Sequence, residues 1–88
     1  MIHETAIIDT KTKISSNVSI GPYSVIGPDV EIGENTIIHS HVNIVGHTKI
    51  GNNVQIGGGS GVIKNIPDNS KVMGYPTKNL KNFIKDNK

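Results

Sequence analysis

The sequence has no cysteine, no arginine and no tryptophan, and a single residue each of leucine, alanine and phenylalanine. Without cysteine there is no disulfide, no thiolate metal ligand and no sulfur nucleophile. Without arginine no guanidinium reads a base edge, and a net charge of +2 is too small to mark a nucleic-acid binder. No apolar run exceeds three residues, Ala6-Ile7-Ile8, so neither a membrane span nor the apolar stretch of a signal peptide is expected. A cytoplasmic location follows as an expectation. The 88 residues suffice for one small domain, not two. A chain of this length buries only roughly 60% of its unfolded surface, and with no staple available it is expected to oligomerise.

What is abundant is branched aliphatic: 15 Ile and 8 Val, with 10 Gly. That composition favours strand and turn over helix. Charge is unevenly placed. Residues 1–61 carry 3 Lys against 5 acids, whereas 62–88 carry 6 Lys against 2 Asp, so the C-terminal third offers a basic surface, either solubilising or suited to an acidic partner.

An isoleucine recurs every six residues, at 2, 8, 14, 20, 26, 32, 38, 44, 50 and 56, and Val62 continues the series. Four places after each stands a small or β-branched residue: Ala6, Thr12, Val18, Ser24, Val30, Thr36, Val42, Thr48, Val54 and Ser60. Glycine often follows the Ile directly (Gly21, Gly27, Gly33, Gly51, Gly57), and a corner with positive φ is expected there. Six is not a helical period, and a plain strand repeats at two. The chain therefore makes a short strand and turns a corner every hexad, three corners closing a triangular coil of 18 residues stacked at roughly 4.8 Å.

The expected architecture is all-β, a parallel β-helix over residues 1–66 of about three coils. An extended connection follows at 67–76. Thr77 then suits an N-cap, and Leu80, Phe83 and Ile84 at i, i+3 and i+4 predict a short amphipathic α-helix over 77–88 that caps the open prism.

This pattern resembles the hexapeptide-repeat, left-handed parallel β-helix proteins, and the left hand is what the resemblance implies. Two stretches resemble particular families. Met1-Ile2-His3-Glu4-Thr5-Ala6-Ile7-Ile8-Asp9, Val18 to Pro28, Ser40-His41-Val42-Asn43 and Gly46 to Gly51 are similar to the N-terminus of the UDP-N-acetylglucosamine 3-O-acyltransferases of lipid A synthesis. Residues 50–62, with Ile66-Pro67-Asp68 and Met73-Gly74-Tyr75-Pro76, resemble the end of the UDP-3-O-acylglucosamine N-acyltransferases. The resemblance implies a homotrimer that moves a hydroxyacyl chain from acyl carrier protein to a UDP-sugar in clefts between subunits, with no bound cofactor, the acyl donor being acyl carrier protein or acyl-CoA. The principal base histidine of these families falls in coils that have no counterpart here.

His47, in Val45-Gly46-His47-Thr48-Lys49-Ile50, matches a site histidine of the N-acyltransferases and is the candidate base. Asp29 precedes it by 18 residues, one coil, which either puts a carboxylate within reach to orient the imidazole or simply stacks an outward Asp and His on a polar face. By the same arithmetic His41 stacks on Tyr23 and His39 on Gly21. His41 is a candidate substrate contact, though an aromatic contact explains it equally. Gly57 and Gly58 form either a side-chain-free wall or, as the resemblance implies for Gly58, the lining of an acyl groove. The spacing of His39, His41 and His47 does not suit a trimeric metal site, so no metal is expected. Lys78, Lys81, Lys85 and Lys88 form a basic surface that either belongs to a cap without a partner or, as the resemblance implies, meets acidic acyl carrier protein. The leading functional expectation is a lipid A-type acyltransferase. The alternatives are a minimal β-helix without activity and a small-substrate acetyltransferase using acetyl-CoA.

Overall fold

The computed structural model describes residues 1–79. The hexad becomes strand and corner as expected. Ten two-residue strands run at six-residue intervals: β1 (Ile7–Ile8), β2 (Lys13–Ile14), β3 (Ser19–Ile20), β4 (Val25–Ile26), β5 (Glu31–Ile32), β6 (Ile37–Ile38), β7 (Asn43–Ile44), β8 (Lys49–Ile50), β9 (Gln55–Ile56) and β10 (Gly61–Val62). In each, the first residue faces outward and the second inward, because side chains alternate along a strand. Strands one coil apart pair parallel in an 18-residue register, such as Ile7 with Val25, Glu31 with Lys49 and Ile38 with Ile56.

Three faces result. The first stacks Ile2, β3, β6, β9 and β11 (Lys71–Met73); the second stacks β1, β4, β7 and β10; the third stacks β2, β5 and β8, with Ile66 bridged to Ile50. This gives about four turns rather than three, since β11 and the Ile66 bridge extend the prism past its last regular hexad. The parallel solenoid is consistent with the left-handed form that the resemblance implies. It measures 40 × 22 × 21 Å.

The interior holds columns of Ile from the faces and of smaller residues from the corners. Ile20, Ile26, Ile32, Ile38 and Ile56 are buried, as are Val30, Val42 and Val54. Corner hydroxyls are buried too and satisfy backbone groups. Ser24 donates to the carbonyl of His39 at 2.9 Å and Thr36 to that of Gly51 at 2.8 Å, while Ser24 and Thr36 accept from the N–H groups of Val42 and Val54. Among the described residues no buried side-chain polar atom lacks a partner.

Positive φ falls elsewhere than predicted. The left-handed residue stands three places after the Ile, at Asn17, Tyr23, Asp29, Asn35, His41, His47 and Asn53, with Gly59 in the same frame. The glycines that follow the Ile answer to close approach instead. A Cβ on Gly21 would lie 2.7 Å from the backbone carbon of His39, and one on Gly27 2.7 Å from the nitrogen of Gly46. The next coil's backbone occupies that space.

The register breaks once. Ile66 bridges Ile50 and Lys71 pairs with Gln55, both at an offset of 16, so the last turn is two residues short at its Ile63-Lys64-Asn65 corner. The Asn65 Oδ1 accepts from the N–H of Lys49 at 2.8 Å, a side chain standing in for the missing backbone.

The predicted C-terminal helix over 77–88 is corrected at its start. Thr77 lies in a turn, and β12 (Lys78–Asn79) runs antiparallel to β11, with Val72 opposite Asn79 and Met73 opposite Lys78. The physical reason is that β11 pairs with β9 on one side only, leaving an edge whose backbone groups a returning strand satisfies better than a helix. The N–H of Thr77 donates to the Gly61 carbonyl at 3.0 Å and fixes the return. Leu80, Phe83 and Ile84, on which the helical spacing rests, lie outside the described residues.

Candidate functional site

Because each corner recurs every 18 residues, the three edges of the prism carry stacked side chains. Edge 1, between the first and second faces, stacks residues 3–5, 21–23, 39–41 and 57–59. Edge 2, between the second and third faces, stacks 9–11, 27–29, 45–47 and 63–65. Edge 3 carries a column of Asn17, Asn35, Asn53 and Asn69, in which the Asn17 amide donates to the Asn35 Oδ1 at 2.8 Å.

Asp29 and His47 meet on edge 2. The His47 Nδ1 lies 3.3 Å from Asp29 Oδ2. Their backbones adopt φ of 57° and 63°, and the N–H of His47 donates to the Pro28 carbonyl at 2.9 Å. Left-handed φ suits Asp and His better than most residues, so these types hold the corner while projecting a functional group. The pair is open: His47 is 78% exposed and Asp29 52%. The shallow cavity beside it, about 80 Å³, is lined by Lys11, Lys13, Asp29 and Glu31. The tautomer with its proton on Nδ1, facing the Asp29 carboxylate, has a free lone pair on Nε2, the arrangement a general base needs.

The remaining sequence-predicted residues gather on edge 1, one face away. His41 packs on Tyr23 with ring centroids 5.3 Å apart and planes tilted by 34°, so the aromatic contact is formed. Gly57 floors a groove of about 140 Å³ with His39, Gln55, Lys71, Val72 and Met73. Gly58 lies beside it, where an added Cβ would stand 3.4 Å from the Ser40 carbonyl oxygen and 4.0 Å from the His39 Cβ, ordinary contacts.

Sequence reasoning gave least weight to His39, yet this side chain lines two grooves. The second, of about 310 Å³, is bounded by His3, Gly21, Ile37 and His39. The signal was present: Gly21 and Gly57 stand one coil before and one coil after His39, and a glycine on each side of a long side chain leaves a notch on each side. The His3 ring is hydrogen-bonded to Thr5 and that of His47 lies within ion-pair distance of Asp29, whereas the His39 ring has no such partner among the described residues. Among these residues no cluster of three His, Cys, Asp or Glu is able to hold a metal. No helix among them is long and apolar enough to cross a membrane.

Comparison with known proteins agrees with this geometry at the level of the repeat. Residues 11–46 match the family profile described as bacterial transferase hexapeptide (six repeats), so this stretch of the coils carries the hexapeptide repeat. A curated relative, the acyl-[acyl-carrier-protein]–UDP-N-acetylglucosamine O-acyltransferase of Albidiferax ferrireducens, is 54% identical over 28 residues, 32% of this chain and 11% of that protein. A mutant of GDP-perosamine N-acetyltransferase from Caulobacter crescentus, solved with CoA and GDP-perosamine, superposes with a TM-score of 0.66 at 18% identity, over 89% of this chain and 54% of that one. The acetyltransferase domain of PglB from Neisseria gonorrhoeae, solved with acetyl coenzyme A, gives 0.60 at 22% identity over 90% and 56%. The chain thus spans about a tenth of the curated relative and about half of the solved structures. At these identities the structural likeness is one of fold.

Proposed function

We propose that this chain is an acyltransferase unit that moves an acyl group from a thioester to a hydroxyl or amine of a nucleotide sugar. The observation that carries the reading is the Asp29 and His47 pair, one coil apart with 3.3 Å between Nδ1 and Oδ2, on a hexapeptide-repeat prism. In the proposed reaction His47 Nε2 takes the proton of the acceptor O–H or N–H as the freed lone pair attacks the thioester carbonyl carbon. The C–S bond then breaks, and the imidazolium returns its proton to the leaving thiolate, so that the base is regenerated. Asp29 holds Nδ1–H and stabilises the transient imidazolium.

The lipid A-type form of the reading, with a hydroxyacyl group on acyl carrier protein, a UDP-glucosamine acceptor and a cytoplasmic homotrimer, is supported by the 54% identity to an O-acyltransferase over 28 residues. A second form, acetyl transfer from acetyl-CoA, is favoured by the fold's likeness to the PglB acetyltransferase domain, solved with that thioester. Release of free thiol, followed with hydroxyacyl carrier protein and separately with acetyl-CoA in the presence of UDP-N-acetylglucosamine, separates the two. Turnover with the first donor only supports the lipid A form, and turnover with acetyl-CoA the other. No release from either donor overturns the enzymatic reading in favour of a non-catalytic scaffold.

A further inference from the structure

Both tyrosines of the chain are kept out of the core. Tyr23 is 62% exposed and Tyr75 76%, and both stand on edge 1. Rings left in water on one edge of so small a protein ask for a partner, because an aromatic side chain stabilises most when it is covered. Tyr23 is covered on one side only, by the exposed ring of His41, with 5.3 Å between the centroids. Its backbone is fixed by donating the N–H to Thr5 Oγ1 at 3.0 Å. The opposite face of His41 is turned along the column toward Gly59.

The corner that carries this column is held in step coil by coil. The N–H of His41 donates to the Pro22 carbonyl and that of Gly59 to the Ser40 carbonyl, each at 3.0 Å. Gly59 therefore stands one rung, roughly 4.8 Å, beyond His41, as His41 stands beyond Tyr23. That rung holds no side chain, and a Cβ on Gly59 would meet nothing within 4 Å. Nor does the backbone demand glycine. At φ of 74° Gly59 lies near the 57–63° that Asn, Tyr, Asp and His accept at the other corners of the frame. On the following coil the ring of Tyr75 lies over Gly61, two residues further along. The aromatic column thus stops for one rung at a residue that neither packing nor conformation requires to be glycine.

We propose that this open rung is a binding platform for a nucleobase, which stacks on the free face of His41 in the place that a side chain at position 59 would fill. One rung falls within the roughly 4.5–7 Å at which aromatic rings pair, so a ring seated there continues the Tyr23 and His41 stack without rearrangement. A flat π ring suits the imidazole face, whereas the C–H bonds of a sugar seek a more electron-rich one. The Ser40 hydroxyl, 3.8 Å from where a Cβ on Gly58 would stand, is at hand for the polar edge of the base. Stacking of this kind depends little on which base is offered, so the base of a nucleotide sugar and that of coenzyme A are both suited to it. That the base belongs to a substrate rests on the acyl-transfer reading, whereas the platform stands on the geometry of edge 1 alone.

The test is a nuclear magnetic resonance titration of the full chain with uridine diphosphate, adenosine diphosphate and inorganic pyrophosphate, each alone. A nucleotide is expected to move the His41 ring and Gly59 amide resonances saturably, as the ring current of a stacked base does, while pyrophosphate leaves them in place. Binding of either nucleotide supports the platform, and the tighter of the two identifies the source of the base. Gly59→Asn fills the rung with a residue the corner accepts, and His41→Asn removes the stacking face. Each is expected to weaken nucleotide binding by about tenfold or more with an unchanged circular-dichroism spectrum. Resonances unmoved by both nucleotides, pyrophosphate shifts equal to theirs, or undiminished binding by either variant would overturn the proposal. Binding is read without a thioester or turnover, so a protein that holds the base and transfers nothing would count against acyl transfer alone.

Discussion

His47 and Asp29 each hold a corner at left-handed φ, and this decides how they are best tested. Alanine at such a position costs roughly 1–2 kcal/mol in backbone strain, mixing a stability effect into an activity measurement. Asparagine tolerates the conformation, as Asn17, Asn35 and Asn53 demonstrate in the same frame. His47→Asn therefore removes the base while keeping the corner. It is expected to lower kcat/KM for acyl transfer by about 10²–10⁴-fold with an unchanged circular-dichroism spectrum. A loss under threefold would remove His47 from the chemistry. Asp29→Asn should cost less, because the amide oxygen still accepts from Nδ1–H and only the charge facing the imidazolium is lost.

Glycines that look alike in the sequence separate at the same scale. Gly21→Ala puts a Cβ 2.7 Å from the backbone of His39, which is itself pinned by donating its N–H to Ile56, so the coil spacing has to open. Gly58→Ala meets nothing nearer than 3.4 Å. The first is expected to lower Tm by several degrees, while the second leaves it within about a degree, both read by thermal melting followed by circular dichroism. Equal effects would mean that coil packing does not select these glycines.

Among the elements, the corner column is where polar groups enter the core. Thr36 donates to Gly51 and accepts from Val54, so Thr36→Val, nearly the same in shape, strands an N–H and a carbonyl at once. The cost should be about 1–3 kcal/mol by urea denaturation. Ile38→Val, which removes one methylene from the adjacent column, should cost about 0.5–1.5 kcal/mol. Thr36→Val as mild as Ile38→Val would show that water reaches this corner.

The strands were legible because the hexad is a repeated steric demand: one inward Ile per face, one small residue per corner. The Asp29 and His47 contact was legible for the same reason, since 18 residues is one coil wherever it is counted. What stayed hidden depends on contacts outside the repeat. Gly21 and Gly27 suggested turn conformation, yet they serve the neighbouring coil, which no local pattern distinguishes. Lys78 and Asn79 fit a helical spacing with Leu80, Phe83 and Ile84, but the unpaired edge of β11 outbids local propensity. The two-residue shortening before Ile66 was hidden because Ile63-Lys64-Asn65 reads as an ordinary corner until Asn65 is seen bonding the Lys49 backbone.

For the whole molecule, the repeat makes the prism a stack whose coils touch only their neighbours, so stability is set by intrinsic coil terms and interfaces between coils. Duplicating residues 21–38 inserts one complete coil and returns every downstream Ile to its own face and every corner hydroxyl to its own column. The longer protein should fold, melt at a higher temperature and lengthen along its 40 Å axis by about 4.8 Å, readable by small-angle scattering. Duplicating residues 21–37 adds 17 residues and exchanges inward for outward positions in all later strands. Ile44, Ile50 and Ile56 would then face water, and Asn43, Lys49 and Gln55 the core, so this variant should lose its β-sheet spectrum. The natural shortening by two at Ile66 does not contradict this, because an even step taken inside a corner leaves strand alternation intact. If both insertions folded equally well, the inward frame would not be what holds the coils together.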